Sequence, residues 1–177
     1  MRKLLNDELD RLTLDEYKKV EKIPVWVVLD NVRSLNNIGS VFRTADAFRL
    51  QGIFLCGITA TPPHREIHKT ALGATESVRW EYRKETHEAI AELKTKGCRI
   101  LAVEQTEGAL RLDRLQLAAG ERYALVFGHE IRGVDQLVVD MSDLCIEIPQ
   151  FGTKHSLNIA VAAGIVIWEV FRSLGGK

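Results

Sequence analysis

Short apolar runs that alternate with helical patterns constrain the fold of this chain more than any other feature. Runs typical of strands occupy 25–30, 52–58, 99–104, 123–128 and 144–149. Most are apolar at consecutive positions, so each strand needs cover on both faces, as in a parallel sheet between helical layers. Helical periodicity occupies 38–49, 86–96, 134–140 and 157–172. The alternation predicts an α/β fold with a mostly parallel sheet and helices on both faces.

The 177 residues are enough for one domain with a substantial core, and 46% of them are hydrophobic. We expect residues 1–22 to form a charged helical arm that ends near Pro24, and residues 23–177 to form a single domain. The arm lacks the apolar segment of a secretory signal, and the longest apolar run, 159–168, is too short to span a bilayer. The three widely spaced cysteines are typical of reduced thiols. We therefore expect a cytoplasmic protein without a membrane partner.

The net charge is zero, but the charges are unevenly distributed. Residues 31–84 carry eight lysines and arginines against four acidic residues, whereas residues 85–177 carry ten basic and thirteen acidic residues. A basic region of this kind is suited to phosphates, as in nucleic acid. On charge alone, a chance fluctuation is an equally good interpretation.

Polar, glycine-bearing loops follow four of the predicted strands, at 30–40, 105–110, 128–133 and 150–158. Because the carboxyl ends of parallel strands meet at one edge of a sheet, we expect these loops to open on a common ligand pocket. A small nucleotide-binding domain of the flavodoxin type is one alternative. Neither a G-x-G-x-x-G nor a Walker sequence is present, which weakens it.

The first of these loops leads into a helical pattern with two distinct faces. The apolar residues of 38–48 share one face, whereas Gly39 and Arg43 lie on the other. Asn37 is expected to cap the helix. Gly39 permits a close approach to the backbone, and the helix N-terminus together with Arg43 would suit a phosphate. The alternative is a capped helix with a solvated arginine.

The last two loops carry further polar residues. Gly128 and Gly133 fit turn geometry, and Glu130 by itself fits a solvated side chain. Ser156 is expected to cap the C-terminal helix, with Asn158 in its first turn and in need of hydrogen-bond partners. That helix is apolar nearly all round, which indicates burial, including burial against a second subunit. His64 and His68 could be metal ligands, but no carboxylate or cysteine stands at matching ligand spacing, so we expect no metal site.

Three segments resemble, in order, the motifs of the SpoU family of RNA ribose methyltransferases, of the SPOUT class. They are NIGSVFRTA (37–45), LVFGHEIRG (125–133) and IPQFGTKHSLNI (148–159), and HKTALGATES (68–77) is similar to the family's segment between the first two. The resemblance covers about 25–172. It implies a C-terminal trefoil knot, a homodimer formed through the C-terminal helix and knot, and S-adenosylmethionine as cofactor. It also implies methylation of a ribose 2′-hydroxyl in tRNA or rRNA.

The resemblance also implies roles for single residues. The implied catalytic residues are Arg43, Asn37, Glu130, Ser156 and Asn158. The implied cofactor-binding residues are Gln105, Phe127, Gly128, Ile148, Pro149, Ser156 and Leu157. With the arm of residues 1–22, the residues expected to contact RNA are Arg33, Arg43, Arg65, Lys69 and Arg83. A guanidinium stays protonated in proteins, so Arg43 is expected to stabilise the developing alkoxide and to grip a phosphate rather than act as a base.

The sequence departs from the family motifs at two places, and two alternatives to ribose methylation stay open. Ala160 stands where the third family motif commonly has serine, and Lys154 and His155 stand where acidic or apolar residues are common. These positions bear on substrate choice. The alternatives are a catalytically inactive knotted RNA-binding protein and methylation of a base instead of a ribose.

Overall fold

The computed structural model describes residues 1–175 and contains one parallel seven-stranded sheet. The strands are β1 (Ile23–Asp30), β2 (Leu50–Cys56), β3 (Trp80–Arg83), β4 (Cys98–Val103), β5 (Leu110–Arg111), β6 (Arg122–Phe127) and β7 (Leu144–Glu147). Their order across the sheet is β3-β2-β1-β6-β4-β7-β5, and every neighbouring pair is parallel. All carboxyl ends therefore lie at one edge of the sheet and all amino ends at the other.

Seven helices cover this sheet among the described residues. They are α1 (Leu14–Lys19), α2 (Leu35–Ala47), α3 (Arg65–Ala71), α4 (Ala74–Ser77), α5 (Thr86–Thr95), α6 (Gln136–Met141) and α7 (Ile159–Ser173). Short 3-10 turns occupy Asn6–Leu9 and Leu112–Arg114. The arm of residues 1–22 thus holds a 3-10 turn and the six-residue α1 rather than one continuous helix.

The core has two layers because the side chains of a strand alternate between the faces of the sheet. In β1, Val25, Val27 and Leu29 pack with α2, α3 and α7, whereas Trp26 and Val28 pack with α5 and α6. All five are at most 5% exposed. The prediction of a parallel α/β sheet with helices on both faces is confirmed. The trefoil knot stays a prediction, because strand order and register do not describe how the chain threads.

All five predicted strands are present, and no end is shifted by more than two residues. Two strands were not predicted from the sequence: β3 and β5, which have four and two residues and lie at the two edges of the sheet. The helices α3 and α4 were not predicted either. Such short elements carry too few residues for a recognisable period.

Both predicted helix caps were wrong. Ser34, not Asn37, caps α2, and its hydroxyl accepts a hydrogen bond from the Asn37 N–H. Asn158, not Ser156, caps α7, since its side chain accepts from the N–H groups of Ala160 and Val161. In each case the correct cap lies a few residues from the predicted one, where propensity alone does not discriminate.

The C-terminal helix α7 is not buried all round within one chain. Val161, Ile165 and Trp168, spaced along one face, are 51%, 38% and 53% exposed.

Among residues 1–175, no helix is long and apolar enough to cross a membrane. All three cysteines are free thiols; Cys56 and Cys98 are buried and Cys145 is half-buried.

Candidate active site

A cleft of about 330 Å³ opens at the carboxyl edge of the sheet, where β4, β6 and β7 end. Three loops and the start of α7 form its walls. Of the four polar loops expected to open on a common pocket, the loop at 30–40 contributes no residue to the lining. Five of the expected cofactor-binding residues line it: Gln105, Gly128, Ile148, Ser156 and Leu157. Phe127 does not; it is the buried last residue of β6. Pro149 is also absent from the lining, although its neighbours Ile148 and Gln150 contribute.

The lining of this cleft is divided between apolar and polar groups. Ile146, Ile148, Leu157 and Ile159 provide apolar surface. The side chain of Gln105 and the loop backbone provide hydrogen-bonding groups. A ligand with a flat apolar part and a polar part suits such a division, as small-molecule sites generally show.

Glu104 holds two of the cleft loops together, and the sequence analysis did not single it out. One carboxylate oxygen accepts from the Gln105 N–H at 2.8 Å, and the other accepts from the Val134 N–H at 2.9 Å. Gly133 makes room for it, because a Cβ there would lie 2.1 Å from Glu104 Oε2. The sequence signal that could have identified Glu104 is an acidic residue directly after a buried strand.

Gln105 continues this connection across the cleft. Its Nε2 donates to the backbone carbonyl of His155 at 2.7 Å. The chain of contacts therefore runs from the loop after β6, through the end of β4, to the segment that precedes α7. Three loops that are remote in sequence share one hydrogen-bonded frame.

The N-terminus of α2 was expected from the sequence to bind a phosphate, but the Glu130 carboxylate lies there instead. This carboxylate accepts from the backbone N–H groups of Arg33 at 3.1 Å and Ser34 at 2.8 Å. Partial burial alone would raise the pKa of Glu130. The hydrogen bonds from Ser34 and Arg33, together with those from its own N–H and from Asn37, outweigh burial and hold the pKa below its ordinary value. The anion at this helix terminus is therefore the chain's own carboxylate.

Asn37 and Asn158 join the same network. Asn37 is 9% exposed; its Nδ2 donates to Glu130 at 3.4 Å, and its Oδ1 accepts from Asn158 Nδ2 at 3.2 Å. Asn158 needed partners, and it finds them in Asn37 and in the first turn of α7. Three of the residues expected to be catalytic thus hold the starts of α2 and α7 against the loop after β6.

The close approach that Gly39 permits is made by a neighbouring helix. A Cβ at Gly39 would lie 2.1 Å from Thr70 Oγ1 and 2.4 Å from the Ile67 carbonyl oxygen. Both atoms belong to α3, which packs across α2 at this point. The surface above Gly39 is therefore covered by protein and is not open to RNA.

Arg43 lies outside the cleft, in a separate groove. This Arg43 groove, about 930 Å³, runs between residues 10–17 of the arm, the C-terminal half of α2 and residues 71–77. The Arg43 side chain is exposed and forms no hydrogen bond or ion pair with any residue of 1–175. Within one chain, the structure separates Arg43 from Glu130 and Ser156.

The remaining residues expected to contact RNA differ in their surroundings. Arg33 and Arg65 are exposed. Lys69 is exposed and lies 4.0 Å from Glu66. The Arg83 side chain already forms ion pairs with both Glu81 and Glu92.

Within the described part of the chain, no cluster of three or more metal-ligating side chains is present.

Asp30 is a second connector that the sequence analysis did not assign. It ends β1 at 1% exposure, accepts from the Thr86 hydroxyl and from Asn31, and receives the Asp135 N–H at 2.9 Å. It thereby fixes the starts of α5 and α6 against the centre of the sheet.

Comparison with known proteins adds four findings. A family model described as the SpoU rRNA methylase family matches residues 24–168. A Staphylococcus aureus (strain MSSA476) protein, named for the TrmH family of tRNA/rRNA methyltransferases, is 33% identical over 159 residues, or 90% of this chain. The match covers 63% of that relative, so the chain spans less than two thirds of its length.

Two solved structures share the fold over most of the chain. An rRNA methyltransferase from Sinorhizobium meliloti with bound AdoMet has a TM-score of 0.81 at 27% identity and covers 89% of this chain and 60% of that one. A structure described in terms of 2-OH methylation of C/U34 on tRNA has a TM-score of 0.75 at 26% identity. That match covers 88% of this chain and 100% of the other.

Proposed function

Because this chain belongs to the SpoU rRNA methylase family, we propose that it transfers a methyl group from S-adenosylmethionine to a ribose 2′-hydroxyl of tRNA or rRNA. The observation that carries the proposal is the cleft, where residues of the second and third family-like segments, after β6 and β7, meet residues of the loop after β4. A relative in which AdoMet is bound and another concerned with 2-OH methylation support the cofactor and the ribose target.

The residues of the cleft fit this cofactor. Its volume of about 330 Å³ is within the range of small-molecule sites. The apolar wall of Ile146, Leu157 and Ile159 suits the adenine ring, and Gln105, Ser156 and the loop backbone suit the polar parts. When bound, S-adenosylmethionine supplies an electrophilic methyl group. The hydrogen-bonded frame of Glu104 and Gln105 keeps the loops in place for it before binding.

The proposed role of Arg43 is electrostatic. A ribose hydroxyl is a weak nucleophile, and negative charge develops on its oxygen as the methyl group is transferred. A permanently protonated guanidinium stabilises that charge and grips the adjacent phosphate at the same time. Ser156 lines the cleft, and its proposed role is to contact the ligand. Asn37, Glu130 and Asn158 position the helix starts around it.

A homodimer completes the site in this proposal. Within one chain Arg43 lies in its own groove and not in the cleft. The exposed apolar face of α7, formed by Val161, Ile165 and Trp168, offers a surface for a second copy. Pairing through this face would bring Arg43 of one subunit towards the cleft of the other.

The test is methyl transfer by the full chain from labelled S-adenosylmethionine to bulk tRNA and, separately, to rRNA, both from cells that lack this protein. Digestion to nucleosides and mass spectrometry identify the product. A 2′-O-methylated nucleoside from one pool supports the proposal and selects the substrate. A base-methylated nucleoside would show that the methyl group is transferred to a base and not to a ribose. RNA binding with cofactor bound but no transfer to naked RNA or to ribosomal particles favours the inactive RNA-binding alternative.

A further inference from the structure

A second pocket, at the opposite edge of the sheet, is lined by cations. It has a volume of about 290 Å³ and lies where β1, β2, β4 and β6 begin. Its lining includes Arg79, Lys96 and Arg122 but no carboxylate. We name it the amino-edge pocket, and we propose that it binds a backbone phosphate of the substrate RNA. The proposal rests on the proposed function for the identity of the polyanion.

The three cations come from separate parts of the fold. Arg79 precedes β3, Lys96 ends α5, and Arg122 begins β6. Arg122 donates to the carbonyl of Lys96 at 3.1 Å, which fixes one side of the pocket. Because they are remote in sequence, no charge run marks this pocket, and only folding brings the cations together.

The floor of the pocket is a closely packed aromatic ring. Trp26 is 5% exposed, and both the Arg79 guanidinium and the Lys96 ammonium lie 5.5 Å from its ring centroid. Gly52 leaves space for this ring, because a Cβ there would lie 2.6 Å from Trp26 Cζ3. Cations held over an aromatic face lose less freedom when they bind an anion than solvated side chains do.

Neighbouring carboxylates do not neutralise the pocket. Glu81 pairs with Arg79 and Arg83, and Glu92 pairs with Arg83 and Lys96. These two carboxylates are shared by Arg79, Arg83 and Lys96. The fourth cation, Arg122, forms no ion pair among residues 1–175. The cluster therefore keeps an excess of two positive charges. Exposed ion pairs are weak, so Arg79, whose side chain is 60% exposed, can exchange its carboxylate for a phosphate at little cost.

The position of the pocket favours a long polyanion over a small anion. The six residues of β6 separate Arg122 from Gly128 in the cleft, a distance of roughly 20 Å along an extended strand. A nucleic acid strand that presents one ribose at the cleft region is long enough to place another phosphate at the amino-edge pocket. Phosphate contacts of this kind position a nucleic acid without reading its sequence.

The test compares charge-changing variants in RNA binding and in methyl transfer. The variants are Arg122→Gln and Arg122→Glu, with Arg114→Glu as the matched control, because Arg114 is exposed and outside the pocket. Affinity for bulk tRNA and for rRNA is measured over a series of KCl concentrations. We expect Arg122→Gln to reduce the slope of log K against log salt by about 0.7–0.9, the value for one phosphate contact. Arg122→Glu weakens binding further, and Arg114→Glu leaves both quantities unchanged.

Kinetics and folding separate this role from a structural one. Arg122→Glu should raise KM for RNA and leave kcat at saturating RNA, cofactor affinity and thermal midpoint unchanged. Wild-type affinity and salt slope in Arg122→Glu would overturn the inference and leave the proposed function intact, provided that the wild-type chain transfers methyl groups. Failure of the wild-type chain to bind any RNA would overturn both.

Discussion

The cleft and the Arg43 groove differ in how their polar groups are satisfied. In the cleft, Glu104, Gln105 and Glu130 have hydrogen-bond partners from other loops of the same chain. In the groove, Arg43 has no partner among residues 1–175. Tyr17, which lines the groove, and Thr75 beside it bury hydroxyls without a hydrogen-bond partner in the described part of the chain.

This difference separates a preorganised site from an incomplete one. Groups that are fixed before a ligand binds lose little freedom on binding, which favours affinity for a small cofactor. An arginine without an internal partner is available to a group from outside, such as a phosphate or a second copy of the chain. Changes in the groove should therefore affect turnover without affecting stability, and changes in the cleft frame should affect stability and cofactor binding together.

The largest expected effect comes from Arg43→Ala. Loss of a group that stabilises an oxyanion lowers kcat by about 10²–10³-fold, equivalent to roughly 3–4 kcal/mol. Arg43→Lys should not restore activity, because an ammonium lacks the planar fork that binds a phosphate through two hydrogen bonds. The measurements are single-turnover methyl transfer, thermal midpoint and cofactor affinity, and the last two should equal those of the wild type. Full activity of Arg43→Lys would rule out the proposed role.

The next effect concerns the close packing of α3 on α2 at Gly39. Gly39→Ala places a Cβ against the α3 backbone, and we expect the free energy of unfolding to fall by about 3 kcal/mol. Gly164→Ala in α7 is the matched helical control, since nothing in the same chain lies within 4 Å of its added Cβ. Because Gly164 lies on the α7 face proposed for the dimer, the oligomeric state of both variants is measured alongside. Alanine in a helix is more favourable than glycine by roughly 0.5–1 kcal/mol. Equal urea midpoints for the two variants would contradict the close packing of α3 on α2.

Glu104→Gln tests the frame of the cleft. The amide retains one acceptor oxygen and cannot receive both the Gln105 and the Val134 N–H groups, so we expect a loss of about 1.5 kcal/mol in unfolding free energy. Cofactor affinity, measured by calorimetry, should fall as well. The exposed Glu107→Gln, in the same loop, serves as the control. Unchanged calorimetry and unfolding in Glu104→Gln would show that the frame does not depend on this carboxylate.

The smallest effect is a pH dependence at Glu130. Its pKa in the folded protein is below the ordinary value of 4.5, so its contribution to stability is present above pH 4.5 and is lost as the pH falls through the lower, folded-state pKa. Because the side chain is more than a third exposed and screened by water, we expect less than about 1 kcal/mol. The measurement is the difference in urea midpoint between wild type and Glu130→Gln from pH 7 downwards. A difference that does not shrink on acidification would contradict it.

The sequence by itself determined the class of the fold and the location of the cleft. Period and apolarity are local properties, and they identified the five strands that form the centre of the sheet. The loops that line the cleft follow from the rule that parallel strands end at one edge. The resemblance to a family then implied seven cofactor-binding residues. Five of them, Gln105, Gly128, Ile148, Ser156 and Leu157, line the cleft, whereas Phe127 and Pro149 do not. That the five bind the cofactor stays a prediction.

Only the tertiary structure decided which polar groups meet. Glu130 reaches Ser34 across 96 positions of sequence, and Asn158 reaches Asn37 across 121. It likewise placed α3 over Gly39, put Arg43 in a separate groove, and gathered Arg79, Lys96 and Arg122 into one pocket. The physical reason is that hydrogen bonds and charges act over a few ångströms in space. Sequence spacing determines that distance only within a single helix or strand.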